Sequence, residues 1–64
     1  MTKETRYWYV EIDYEPNGLE TPYPMTRDEA LKYLRDTYDI KRNEITSLTK
    51  WTKVDMYYSD VDIF

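Results

Sequence analysis

Residues 6–15 read RYWYVEIDYE, and this stretch decides the fold of the 64-residue chain. Its apolar and polar side chains alternate with a period of two, and it is rich in aromatic and β-branched residues. Both features are typical of a strand with one buried face. The face we expect against the core carries Trp8, Val10, Ile12 and Tyr14. The opposite face carries Tyr7, Tyr9, Glu11, Asp13 and Glu15.

A hairpin and a helix are predicted to follow this strand. Pro16-Asn17-Gly18 predicts a tight turn, since Pro fixes φ at the first corner while Asn and Gly tolerate positive φ. Pro22 and Pro24 restrict the returning residues 19–23 to an edge strand or an extended arm, because proline cannot donate to a ladder. Residues 26–29, Thr-Arg-Asp-Glu, have capping-box spacing and predict a helix over about residues 27–38.

The second half of the chain predicts two further strands. Residues 45–54 are Thr-rich and β-branched, and a bulge near Ser47 would bring their apolar side chains into phase. Residues 56–64 are expected to form the last strand. The predicted fold is therefore a single α+β domain over residues 1–64. Its elements are a β-hairpin, one helix and a second β-hairpin. The two hairpins form a small, mostly antiparallel sheet, and the helix packs on one face of it. We expect most of the core to come from Trp8, Val10, Ile12, Leu31, Leu34, Ile45, Leu48 and Val54.

The composition favours binding over catalysis. The chain has no His and no Cys, so it lacks a neutral-pH proton shuttle, a thiolate and a soft metal ligand. Glu11, Asp13 and Glu15 lie about 7 Å apart along the predicted strand, a spacing that could suit paired acid–base carboxylates or a Ca²⁺ site. A chain this small offers little room for a substrate cleft, and we expect no enzyme, no catalytic residue, no cofactor and no metal.

The net charge of −4, from 13 acidic and 9 basic residues, disfavours nucleic acid and anionic membranes as direct partners. No apolar run approaches the roughly 20 residues that cross a bilayer, and we expect the protein in the cytoplasm of a host cell. Two nucleic-acid hypotheses stay open. The acidic row could imitate DNA phosphates and block a basic groove. Alternatively, single-stranded nucleic acid could stack on Tyr7, Tyr9, Tyr57 or Trp51, with phosphates held by Lys41, Arg42, Lys50 and Lys53.

Eight Tyr and two Trp supply the residue types that dominate protein-recognition hot spots. Since Tyr7 and Tyr9 are predicted to point away from the core, they would form an exposed aromatic patch beside the acids. We therefore expect a partner-binding site made of Tyr7, Tyr9, Glu11, Asp13, Glu15 and Tyr57. The same patch could instead form a homodimer interface.

In overall plan the chain resembles small phage-encoded host-takeover inhibitors, such as the uracil-DNA glycosylase inhibitor family. It shares with them an acidic character, an aromatic-rich first hairpin and a helix of about three turns. Its plan is also similar to that of the epsilon-type small subunit of bacterial RNA polymerase. The resemblance implies a viral inhibitor that occupies a surface of a larger host protein, such as a nucleic-acid enzyme. It carries over no individual residue.

Overall fold

The fold is a four-stranded sheet with a helix packed on one face. The computed structural model describes residues 4–64. The elements are strands β1 (Thr5–Ile12) and β2 (Glu15–Met25), helix α1 (Arg27–Tyr38), a 3₁₀ turn (Arg42–Glu44), strand β3 (Ile45–Trp51), the short helix α2 (Lys53–Tyr57) and strand β4 (Asp62–Ile63). The strand order is β3-β1-β2-β4, with β1 antiparallel to β2 and β3, and β4 parallel to β2. The predicted α+β class and the mostly antiparallel sheet are confirmed.

The first hairpin turns earlier than predicted. Its two central residues are Asp13 and Tyr14, with φ of 52° and 67°, and not Pro16-Asn17-Gly18. Positive φ at both positions is typical of a type I′ turn, whose backbone twist matches the twist of the flanking strands. Glu11 faces Pro16 in a non-hydrogen-bonded pair, so the missing N–H of Pro16 points away from β1. Tyr14 was predicted to face the core, but at this turn it is 83% exposed.

This turn sets the register that builds the core. Trp8 lies opposite Leu19, so the two side chains share the sheet face that α1 covers. We call it the first face. The buried cluster on it consists of Trp8, Val10, Leu19, Ala30, Leu34 and Leu48. Ile12, Leu31 and Ile45 pack against the cluster while remaining partly exposed. The predicted core is confirmed for Trp8, Val10, Leu34 and Leu48, and it lacked Leu19 and Ala30.

Helix α1 has the bounds that the capping box predicts. The Thr26 hydroxyl accepts a hydrogen bond from the Glu29 amide at 3.3 Å, and the Thr26 amide donates to Glu29 Oε1 at 2.9 Å. The helix ends at Asp39, whose φ of 58° reverses the chain. The Ile40 amide then donates to the Leu34 carbonyl at 3.2 Å, and Ile40 packs against the core.

Both irregular stretches of the sheet lie where the sequence indicates them. The register of β1 and β3 shifts between Glu11↔Ser47 and Ile12↔Ile45, which leaves Thr46 as the extra residue of a bulge. The bulge predicted near Ser47 is therefore confirmed. On the other side of β1, the register jumps from Tyr7↔Glu20 to Thr5↔Met25. The stretch that holds Pro22 and Pro24 thus falls outside the regular ladder.

The predicted second hairpin does not form. Strand β3 ends at Trp51, and the next residues form α2 instead of continuing the strand to Val54. The Thr52 hydroxyl accepts from the Asp55 amide at 3.1 Å, and the Thr52 amide donates to Asp55 Oδ2 at 3.0 Å. This second capping box starts a helix where we expected a strand. Val54 was predicted in the core, but on α2 it is 62% exposed.

The end of the chain reaches the far edge of β2. Strand β4 pairs Asp62 with Asn17 and Ile63 with Gly18, and the Phe64 amide donates to the Gly18 carbonyl at 2.8 Å. A Cβ at Gly18 would overlap Ile63 Cδ1, and it would lie 3.5 Å from Met56 Cε. Glycine at this position therefore lets Ile63 and Met56 pack close to β2, on the sheet face opposite α1. We call this side the second face.

Replacing Tyr14 by glycine should stabilise the protein by about 1 kcal/mol. The reason is that an aromatic side chain at φ 67° is strained, while this exposed ring loses little packing. Urea unfolding followed by tryptophan fluorescence measures the effect. As a control, Tyr23→Gly should lower stability, since Tyr23 is also exposed but has no positive φ. A lower urea midpoint for Tyr14→Gly would contradict the account of the turn.

Gly18→Ala should destabilise the protein by about 1 kcal/mol, because the added methyl group displaces the Ile63 side chain from β2. The cost stays modest because Ile63 is flexible and 47% exposed. In an Ile63→Ala background the same substitution should cost much less. A double-mutant cycle by urea unfolding checks this coupling, and purely additive losses would disprove it.

Candidate functional site

An exposed apolar surface is carried by α2 and its C-terminal cap. Val54 is 62% exposed, and Tyr57 and Tyr58 are 78% and 77% exposed. Their i, i+3, i+4 spacing places them on one side of the helix. The two tyrosine rings meet edge to face, with centroids 5.0 Å apart and an interplanar angle of 87°. We call these three residues the α2 patch.

A cleft lies beside the α2 patch, between α2 and strands β1 and β2. Its volume is about 320 Å³, and it is lined by Arg6, Tyr7, Glu20, Lys53, Met56 and Tyr57. Tyr57 belongs to both features, so the α2 patch and this α2 cleft form one continuous surface. Of the residues predicted to bind a partner, the structure brings Tyr7 and Tyr57 together here.

Arg6 holds one wall of the α2 cleft in place. Its guanidinium forms an ion pair with Glu20 at 2.9 Å and donates from Nε to the Thr21 carbonyl at 2.9 Å. The guanidinium carbon also lies 5.9 Å from the centroid of the Tyr7 ring, within the range of a cation–π contact. These contacts join β1 to β2 where the regular ladder ends, so the wall is preformed.

Tyr9 is not the open aromatic surface that the sequence predicts. Its ring lies 5.3 Å from that of Trp51, and it is half-buried on the second face. Its hydroxyl donates a hydrogen bond to Glu11 Oε2 at 2.5 Å. This bond, burial and the negative charge of Glu11 all raise the pKa of Tyr9, since each favours the neutral phenol.

The predicted acidic row is divided by the early turn. Asp13 is a turn residue, and its amide donates to the Glu44 carbonyl at 3.0 Å. Glu15 already lies on β2, opposite Ile12, and therefore on the sheet face away from Glu11. Glu11, Asp13 and Glu15 thus do not share one strand face. Tyr7 and Asp13 are six residues apart along β1, or roughly 20 Å, which separates the acidic tip from the α2 cleft.

Sequence reasoning missed most of the α2 surface, although a signal for it was present. Thr52-Lys53-Val54-Asp55 has the same Thr-x-x-acid spacing that correctly predicted α1. A helix starting there places Met56 toward the sheet and Val54 toward solvent. It also places Tyr58 in the exposed aromatic surface, a residue that the predicted partner-binding site omitted.

Comparisons with known proteins do not assign the chain. No family model matches it, and neither curated proteins nor solved structures give a significant match. Across residues 4–64, no helix is both long and apolar enough to span a membrane. Within that same range, no group of three or more acidic side chains is placed to hold a metal ion.

Glu11→Gln should lower the pKa of Tyr9 towards its usual value of 10.0, because the neutral amide no longer opposes the tyrosinate charge. A folded-state pKa above the unfolded one gives stability below pH about 10, which is lost as the pH rises through the folded pKa. The variant should therefore lose less stability than the wild type above pH 10. NMR titration of ring-labelled tyrosine measures the pKa. An unchanged Tyr9 titration would show that Glu11 does not control it.

Proposed function

We propose that the chain is a non-enzymatic binding module that docks on a larger protein through the α2 patch and the α2 cleft. The observation that carries the proposal is the pair of adjacent tyrosines, each more than three-quarters exposed, beside Val54 on one side of α2. Tyrosine supplies a large, stiff contact area and is enriched in binding hot spots. Monomeric proteins rarely leave such side chains clustered without a role.

The contribution of the acids to this function is indirect. Asp13 and Glu15 are exposed at the hairpin tip, away from the aromatic anchors, where they would steer the encounter with a basic partner instead of filling its interface. The DNA-mimic alternative gains no support from Glu11, Asp13 and Glu15, because the turn interrupts their row. The alternative that single-stranded nucleic acid stacks on the sheet is weakened at Tyr9 and Trp51. Their rings pack against each other and are therefore less available to nucleic-acid bases.

The biological role that we propose is inhibition. The chain would act as a viral protein that occupies a surface of a host protein, such as a nucleic-acid enzyme, in the cytoplasm. The supporting argument is the surface: an acidic domain that concentrates the exposed rings of Tyr57 and Tyr58 beside Val54 can block a partner by covering it.

The test compares binding by three forms of the protein. Immobilised wild type, Tyr57→Ser/Tyr58→Ser and Tyr14→Gly are exposed to nuclease-treated extract of the cells in which the protein acts. Removing two hot-spot tyrosines should weaken capture of the partner by roughly 30-fold or more. Tyr14→Gly removes an equally exposed tyrosine at the opposite end of β1 and should bind like the wild type.

Two results would refute the proposal. Equal capture of the same proteins by all three forms would show that the α2 patch is not the binding surface. Self-association that is lost only in Tyr57→Ser/Tyr58→Ser, without any other partner, would make the α2 patch a homodimer interface instead. Circular dichroism of each variant checks that the fold is retained.

A further inference from the structure

The α2 cleft has a size and lining that suit the binding of one apolar side chain. Its walls include the Tyr7 and Tyr57 rings and the Met56 thioether. A volume of about 320 Å³ lies at the lower end of the ~300–1,000 Å³ range of small-molecule sites. A cleft of that size suits a single large side chain better than a cofactor.

The charges at the rim of the α2 cleft favour an anionic neighbour for that side chain. Two cations, Arg6 and Lys53, stand against one carboxylate, Glu20. Arg6 is already held by Glu20 and by the Thr21 carbonyl. The Lys53 ammonium makes no hydrogen bond or ion pair within residues 4–64. The α2 cleft therefore carries a free positive charge in a chain whose net charge is −4.

We propose that the α2 cleft binds a peptide segment of the partner in which an apolar residue stands next to an aspartate or glutamate. The apolar side chain fills the space between Tyr7, Met56 and Tyr57, and the carboxylate pairs with Lys53. A peptide is favoured over a free amphiphile because the α2 cleft opens directly onto the α2 patch, and a protein partner covers both. This inference rests on the proposed function and specifies the chemistry that the partner presents.

A defined probe tests the α2 cleft without knowledge of the natural partner. The probe is the peptide acetyl-Ser-Glu-Leu-Ser-amide, titrated into nitrogen-labelled protein and followed by amide NMR shifts. We expect weak binding, with the largest shifts at Tyr7, Lys53 and Tyr57. Replacing Glu by Gln or Leu by Ser in the peptide should each weaken binding about tenfold, because a charge-assisted bond or the apolar anchor is lost.

Two charge-reversal variants of the protein provide the test of the carboxylate contact and its matched control. Lys53→Glu should weaken peptide binding about tenfold or more. Since Lys53 is the first residue of α2, an acidic replacement there favours the helix, and lost binding is not explained by an unfolded α2. Lys32→Glu, on α1 and outside the α2 cleft, makes the same charge change and should bind like the wild type.

The outcomes separate this inference from the proposed function. No shifts at millimolar peptide, equal binding of the Gln peptide, or shifts away from the α2 cleft would overturn the inference, even if partner capture still required Tyr57 and Tyr58. Binding of octanoate but not of the peptide would assign the α2 cleft to a small amphiphile and also overturn it. Self-association of the protein through its own Asp62-Ile63-Phe64 end, detected by light scattering, would also overturn the inference. Tyr58→Ser should retain peptide binding while losing partner capture, because Tyr58 lies outside the α2 cleft.

Discussion

The register of the first hairpin is the constraint on which the rest of the structure depends. Asp13 and Tyr14 form a two-residue turn, and this turn decides which residue of β2 faces each residue of β1 from Tyr7 to Ile12. It places Leu19 beside Trp8 in the core under α1. It also places Gly18 opposite Tyr9 on the second face, where the missing side chain admits Ile63 and Met56. A slip of one residue would exchange these two faces, because side chains alternate along a strand.

Other elements pack on both faces of the sheet, and this explains where the exposed aromatic surface lies. Helix α1 covers the first face, while α2 and the end of the chain pack partly over the second. Tyr7 and Tyr9 consequently lose the open position that strand alternation predicts for them. Two highly exposed tyrosines, Tyr57 and Tyr58, are instead carried by α2 and its C-terminal cap, the segment that covers the second face. A partner would meet the outer side of α2 before it meets the sheet.

Local signals predicted the elements that they control directly, and failed where distant residues competed. The Thr26–Glu29 capping box predicted the correct start of α1 because its hydrogen bonds join residues three apart. The phase shift in β3 predicted the bulge for a similar local reason. Asn17-Gly18 is a stronger turn signal than Asp13-Tyr14, but a turn there would forfeit the pairing of Trp8 with Leu19. The predicted partner-binding site stays a prediction, but the structure divides its residues: Tyr7 and Tyr57 meet at the α2 cleft, while Asp13 and Glu15 lie at the hairpin tip.

The sequence by itself determined the α+β class, the first strand with its buried Trp8 and Val10 though not the residue at which that strand ends, and helix α1 from its first residue to its last. These features follow from periodicity and short-range hydrogen bonds, which a linear pattern contains. Only the tertiary structure decided the hairpin register, the parallel pairing of β4 with β2, and the α2 patch with its α2 cleft. Each of these depends on contacts between residues that are far apart in the chain, such as Gly18 with Ile63. Such contacts stabilise the protein only once other elements have packed on both faces of the sheet.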